Sequence, residues 1–355
     1  MNCVPLTSDP VPLKKGSLEN SAGDLIIHKN DVISPNKRVS YRFIDLLGTG
    51  SFGSVYEAIA LHTNERCAIK VSTNKMNSKD SAYRENCVLK FIKRDKKAPV
   101  QYSSKYIDYF EINDHIFIVT EKLTISGLQI LEQNNYFGLS LAKIQKIFRD
   151  ISVFISYLHK NKICHADLKP ENFLLGLDGN FKVIDFGGSL INEHELANSY
   201  FQSRYYRAPE VILNLPATNK IDVWSLGCIA AELFLGLPII AGNSELHCLQ
   251  LMETRCGDIP SYMKNASPVC NNLFDKNGQV INKNSMEPDP CGIPLEKLSV
   301  IIMSYPYNNG SEDEKKIFLH FVSGMLCIDP KKRFSIDDVC NHQFLHLKFN
   351  NNEEF

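Results

Sequence analysis

Apolar periodicity changes character once in this sequence, near Leu123, and that change limits the folds open to the chain. From Tyr41 to Leu123 the runs VSYRFIDLL, SVYEAIA, RCAIKV, KYIDYFEI and HIFIVTEKL are short, β-branched and aromatic, with partial alternation. That pattern predicts strands. One charged stretch, DSAYRENCVLKFIKR, interrupts them as a helix. Beyond Leu123, LAKIQKIFRDISVFISYLHK sets Leu141, Ile144, Ile147, Phe148, Ile151, Phe154, Ile155 and Leu158 at helical spacing, with Ser140 as N-cap. A second apolar helix, DVWSLGCIAAELFLG, runs from Asp222 and stops at Gly236, with Pro238 beyond. After an Asn-, Pro- and Gly-rich excursion from Gly257 to Glu314, KKIFLHFVSGMLC and SIDDVCNHQFL read as the last helical section. The expected fold is α+β, with a β-rich lobe at 41–123 and a mainly helical lobe at 124–346. Residues 1–22, rich in Pro, Ser, Asn and charge, are expected to form a loose, flexible extension, 23–40 a short hairpin and 347–355 a tail.

Composition narrows the function classes. A length of 355 residues with 44% apolar content suits about two soluble domains with real cores. The net charge of -1 gives no global attraction to nucleic acid or anionic membrane. The basic run KFIKRDKK at 90–97 reads as a solvated helix end, ahead of a nuclear-import or acidic-partner patch. Eleven cysteines, odd in number and without a C-x-x-C pair, argue against a disulfide framework or zinc cluster. No basic start followed by an apolar core marks a signal peptide, and SLGCIAAELFLGLPIIAG, interrupted by Glu232 and Pro238, fits a buried helix better than a membrane span. Cytoplasm or nucleus is the expected residence.

GTGSFGSV places Gly48, Gly50 and Gly53 where a backbone must turn tightly and approach a ligand closely, with Thr49, Ser51 and Phe52 between them. A dinucleotide fingerprint would need a helix to follow. SVYEAIA follows instead and reads as strand, so the loop is expected to be a hairpin lid over phosphates. Lys70 ends an apolar strand and needs an anionic partner; Glu85, on the helix downstream, is the candidate, and the pair would hold the ammonium toward the α- and β-phosphates of a nucleotide. HADLKPEN and VIDFGG supply the chemistry: Asp167 to accept a hydroxyl proton, Lys169 to neutralise a transferring phosphoryl group, and Asn172 and Asp185 as hard oxygen ligands for Mg²⁺.

In the order of these parts, over residues 41–346, the sequence resembles the eukaryotic protein kinases, with APE at 208–210 and Asp222 of DVWSLG completing the set. The resemblance implies a bilobal kinase fold, ATP and Mg²⁺ as cofactors, and protein substrates, with no nucleic-acid or membrane partner and a monomeric state. It implies that Val55, Ala68 and Leu174 sandwich adenine, that Glu121 and Leu123 bond it through their backbone, and that Thr120 is the gatekeeper. It further pairs Arg333 with Glu210. SYFQSRYYRAPEVILNLP and IDVWSLGCIAAELFLGLPI look like the dual-specificity tyrosine-regulated kinases, especially the homeodomain-interacting and Yak-type members, as does HAD in place of HRD. The stretch at about 257–316 falls where that larger group carries an insert in the helical lobe.

Two departures matter. Thr120 stands where most of these relatives have Phe, and Asn198 takes the first place of the usual tyrosine pair in the activation loop. Since Ala166 has no charge to offer a phosphate, the resemblance moves control to Tyr200, autophosphorylated and clamped by Arg204 and Arg207, with Ser203 bonding Asp167 and Lys169. Arg207 also implies a preference for proline after the target Ser or Thr. A pseudokinase scaffold is the rival reading, with every catalytic position filled against it; a dinucleotide-dependent enzyme is a distant third.

Overall fold

The computed structural model describes residues 4–191, 201–281, 287–307 and 310–349. They divide into two compact units, Met1–Thr124 with Ile184–Gly188, and Ile125–Val183 with Ser189–Phe355.

The first unit is built on a six-stranded antiparallel sheet. Its strands are β1 (Val32–Asn36), β2 (Val39–Gly50), β3 (Gly53–Ala60), β4 (Glu65–Ser72), β5 (Tyr106–Ile112) and β6 (His115–Glu121), in the order β1-β2-β3-β4-β6-β5. Alternation along the strands sorts side chains between faces. Tyr56, Ala58, Cys67, Ile69, Val71, Phe117 and Val119 join one core with Tyr41, Phe43 and Phe110. Val55 pairs with Lys70, and Ala68 with Thr120, on the alternate positions. Helix α1 (Met76–Arg94) buries Ala82, Glu85, Val88, Leu89 and Ile92, and its last turn carries Lys93 and Arg94, which suit the negative end of the helix dipole.

The N-terminal segment departs from expectation. Its described part, 4–22, is not a loose extension: Leu6 and Ile27 are buried in the sheet's core. The Leu6 N–H donates to the Ile27 carbonyl at 2.8 Å, and the Thr7 hydroxyl donates to the Leu25 carbonyl and accepts from the Ile27 N–H at 2.9 Å each. Glu19 accepts from the Asn74 amide at 2.6 Å. Polar composition misled here because a few apolar side chains suffice to seat a segment when a sheet face is open to receive them.

The second unit is mainly helical. Helices α2 (Gly127–Gln133) and α3 (Leu141–Lys160) lead to a catalytic-type loop framed by β7 (Ile163–Cys164), β8 (Phe173–Leu175), β9 (Phe181–Val183) and β10 (Leu190–Ile191). Ser140 caps α3 by accepting from the Lys143 N–H. Next come α4 (Pro209–Ile212), α5 (Lys220–Leu235) and α6 (Glu245–Cys256). From Ile221 to Leu235 every residue of α5 is buried, and it ends on Gly236 at φ 85°, where an added Cβ would lie 1.8 Å from the Tyr136 carbonyl. A helix buried on all sides can present polar groups to several neighbours at once. Short helices at Ser261–Ala266, Cys270–Leu273 and Leu298–Ser304 occupy the described parts of the excursion before Glu312–Met325.

One boundary also moves. The lobe division at 123/124 assigns all of VIDFGG to the helical lobe, whereas Ile184–Gly188 belong with the sheet unit. Within that segment Asp185 bonds Lys70 of the sheet unit and Gly187 lies against Ser81 of α1.

Candidate active site

In the sheet unit the glycine loop is a tight hairpin. Gly48 faces Val55, Thr49 faces Ser54 and Gly50 faces Gly53, leaving Ser51 and Phe52 at the tip. A strand follows the loop, so the helix that a dinucleotide fingerprint requires is missing from its place. The glycines differ in role. Gly53 has φ 147°, and a Cβ there would lie 2.1 Å from the Val71 carbonyl; a Cβ at Gly48 would meet nothing within 4 Å. The first glycine is needed by the fold, the second leaves an open cradle of the kind a phosphate chain requires.

Lys70 reaches Glu85 Oε2 and Asp185 Oδ1 at 2.7 Å each. Burial alone would discharge the Lys70 ammonium, but the Asp185 and Glu85 carboxylates reverse the sign and hold its pKa above the usual lysine range. Burial pushes Glu85 up, with Lys70 opposing and Asp185 reinforcing that shift. Two carboxylates share one ammonium, and the surplus negative charge is what a divalent cation neutralises. Asp185 stands at φ 61°, a left-handed position, and its Oδ1 also accepts from the Gly187 N–H at 3.4 Å. Val55, Ala68, Thr120, Glu121 and Leu123 all lie in this unit, whereas Leu174, on β8 opposite Lys182, belongs to the other.

In the helical unit, buried Asp222 on α5 organises the loop of Asp167. Its Oδ2 accepts from the His165 N–H at 2.8 Å and meets His159 Nε2 at 2.9 Å, and its Oδ1 accepts from the Ala166 N–H at 2.8 Å. Burial would raise the Asp222 pKa; the His159 imidazole and the Ala166 N–H outweigh it and hold the carboxyl below its ordinary range. Ala166 takes a left-handed φ of 61°. Such a conformation costs a non-glycine residue about 1–2 kcal/mol, which the Asp222 bond offsets.

Asp167 Oδ1 accepts from the Ser203 N–H at 3.1 Å and its hydroxyl at 2.7 Å, while Oδ2 accepts from the Lys169 ammonium at 2.9 Å. Lys169 also reaches the Ser203 hydroxyl at 3.3 Å. The Asn172 amide nitrogen donates to the Asp167 carbonyl at 2.8 Å, which leaves its side-chain oxygen as the atom to offer a cation. Asn172 therefore fits a hard metal ion, as Asp185 does.

Tyr200 and Asn198 lie outside the described residues. Arg204 Nη1 donates to the Asn243 carbonyl at 3.0 Å. Arg207 is more heavily engaged: Nε donates to the Phe201 carbonyl at 3.1 Å, Nη2 to the Gln202 carbonyl at 2.7 Å, and Nη1 to Glu245 at 3.2 Å. Arg333 and Glu210 form a fully buried bidentate pair at 2.7 and 2.8 Å. Sequence reasoning gave Gln202 and Glu245 no role: Gln202 sits in the SYFQSRYYRAPE stretch, but its amide acts through Ile221 and Ser225, and Glu245 acts through Arg207, 38 residues away.

Comparison with known proteins agrees with this geometry. Residues 41–345 match the protein kinase domain family. The chain is 32% identical to serine/threonine-protein kinase ppk15 of Schizosaccharomyces pombe, over 96% of this chain and 68% of that one. It is 31% identical to dual specificity protein kinase YAK1 of Saccharomyces cerevisiae, covering 92% of this chain and 44% of the yeast protein. With human dual specificity tyrosine-phosphorylation-regulated kinase 4 the identity is 30%, over 97% and 64%. The chain thus spans less than two thirds of the last two relatives. It belongs to the protein kinase family. Within that family its similarity lies with serine/threonine and dual-specificity kinases of the Yak and tyrosine-regulated type, which use ATP with a divalent metal and act on proteins.

Proposed function

We propose that the chain transfers the γ-phosphoryl group of ATP to serine or threonine in proteins, with Mg²⁺ as the metal. The observation that carries this reading is Asp167, held by both donors of Ser203 and by Lys169. A scaffold that only binds nucleotide needs the Lys70 cluster but has no use for an oriented base.

In this reading Gly48 to Gly53 and Lys70 hold the nucleotide phosphates, with Glu85 keeping Lys70 in place. Val55, Ala68, Thr120, Glu121 and Leu123 of the sheet unit serve adenine binding. Asp185 and Asn172 would each give an oxygen to Mg²⁺, which when bound screens the phosphate charge. Asp167 takes the hydroxyl proton and Lys169 meets the charge of the moving phosphoryl group. Purified protein should label a basic protein substrate from ATP and Mg²⁺, and Asp167→Asn should abolish labelling. Equal labelling by the variant would overturn the assignment.

Regulation by Tyr200 belongs to the same reading. A phosphate there would share the Arg207 guanidinium with Glu245, which accepts from Nη1. Intact mass of bacterially made protein should show one phosphate on Tyr200, and Tyr200→Phe should lose activity; a fully active, unphosphorylated protein would refute this. A proline after the target residue is supported by the Arg207 bond to the Gln202 carbonyl. That bond takes up one of the two acceptor positions of the carbonyl, and proline, which has no N–H to place, forgoes less than other residues would. Peptides with Pro→Ala at that position should be phosphorylated more slowly. A monomeric state and residence in cytoplasm or nucleus complete the proposal; the scattered cysteines, unpaired among the described residues, support a reducing compartment.

A further inference from the structure

Gln202 is a buried amide in an unusual backbone conformation, with φ 67° and only 7% of its surface exposed. Few non-glycine residues adopt that region, and those that do are held there by their surroundings. Its side chain supplies the hold. Nε2 lies 2.8 Å from the Ser225 hydroxyl, 3.0 Å from the Ile221 carbonyl and 3.2 Å from the Tyr206 carbonyl, while Oε1 accepts from the Ala208 N–H at 3.0 Å. The Ser225 hydroxyl in turn donates to the Tyr206 carbonyl at 2.8 Å, and the Tyr206 hydroxyl donates to Glu232 at 2.7 Å. Ser225 and Glu232 both stand on α5, the helix whose Asp222 holds the loop of Asp167.

The next residue after Gln202 is Ser203, which gives Asp167 both its N–H and its O–H. A left-handed turn at 202 sets where those two donors point, and the amide fixes that turn to α5. We infer that Gln202 is a positioning residue for Asp167, acting through Ser203. Asp222 and the Gln202 hub thus register the base and its donors against one rigid helix. This rests on the reading of Asp167 as the base, and the two can fail separately.

The test is a double-mutant cycle on kcat with a protein substrate, with melting temperature and the KM for ATP measured in parallel. Gln202→Leu keeps the bulk but removes the amide. It should lower kcat roughly 10- to 100-fold with an unchanged KM for ATP, in the range lost when a positioned donor is displaced. In a Ser203→Ala background the same change should cost clearly less, because the hydroxyl is gone and only the backbone N–H of residue 203 remains to be positioned. A purely structural role would lower kcat by the same factor in both backgrounds.

Ser225→Ala serves where Gln202→Leu fails to fold: it leaves the glutamine but removes one of its partners. Its smaller loss in kcat should also shrink in the Ser203→Ala background. Wild-type kcat in Gln202→Leu, or equal losses with and without Ser203, would overturn the inference. Asp167→Asn separates the cases, since an active Asp167→Asn enzyme removes the base itself, whereas an inactive one with silent Gln202→Leu removes only this positioning role.

Discussion

Lys70 shows how much a single charge decides at the residue scale. It is the ammonium between Glu85 and Asp185, and Glu85 is only 6% exposed. Lys70→Met would strand a buried carboxylate, so a loss of about 3–5 kcal/mol is expected, read as a lowered denaturation midpoint. Adding Glu85→Gln to that variant should restore much of the stability and none of the activity. Stability that stays low in the double variant would show the pair is not the cause. Glu232 offers a second residue-scale prediction. Burial holds its carboxyl up at about 8, against the pull of the Tyr206 hydroxyl. A carboxyl that keeps its proton longer when folded contributes stability that is complete below the ordinary carboxylate range and fades as pH rises toward that value. Glu232→Gln should therefore gain most near about pH 8, by a few kcal/mol at most, and little near about pH 4. Melts of both proteins across that range check the slope; parallel curves would contradict it.

Among the elements, the β2–β3 hairpin separates folding from binding within one short motif. Gly53→Ala drives a Cβ into the Val71 carbonyl, whereas Gly48→Ala places one in open space. The first should lower the melting temperature, by an amount equivalent to about 1–3 kcal/mol. The second should leave the melt unchanged and raise the KM for ATP several-fold by filling the cradle. A melt lowered by Gly48→Ala with unchanged KM would reverse the assignment. Element α5 does the opposite, since Asp222 holds the loop of Asp167 while Ser225 and Glu232 both hold Tyr206, so one buried helix serves two different segments. No periodicity shows this, for a helix buried all round has no stripe to read.

For the whole molecule, the N-terminal segment is part of the sheet unit rather than an appendage. Deleting residues 1–22 removes Leu6, Thr7 and Glu19 from their contacts with Ile27, Leu25 and Asn74. The truncated chain should melt several degrees lower, since burying one apolar side chain contributes about 1.5–3 kcal/mol. An unchanged melt would return the segment to the status of a loose extension. The buried pair of Glu210 with Arg333, 123 residues apart, braces the helical unit in a comparable way.

The sequence by itself determined the change from strands to helices near Leu123, the hairpin form of the glycine loop, and the set of residue types that phosphoryl transfer requires. Those properties are local: a period of two or 3.6 residues, or a motif a few residues long, is complete within its own stretch of chain. Glu85 was legible as a partner of Lys70, but only the tertiary structure added Asp185, 115 residues away, to the same ammonium. Ser203, 36 residues beyond Asp167, was expected at the carboxylate by resemblance alone, and the fold supplies both its N–H and its hydroxyl there. It also decided that Gln202 and Glu245 matter, and that residues 4–22 are seated. A buried polar group takes its role from whichever partners folding brings to it, because desolvation makes each unmade bond costly, and those partners are distant in sequence.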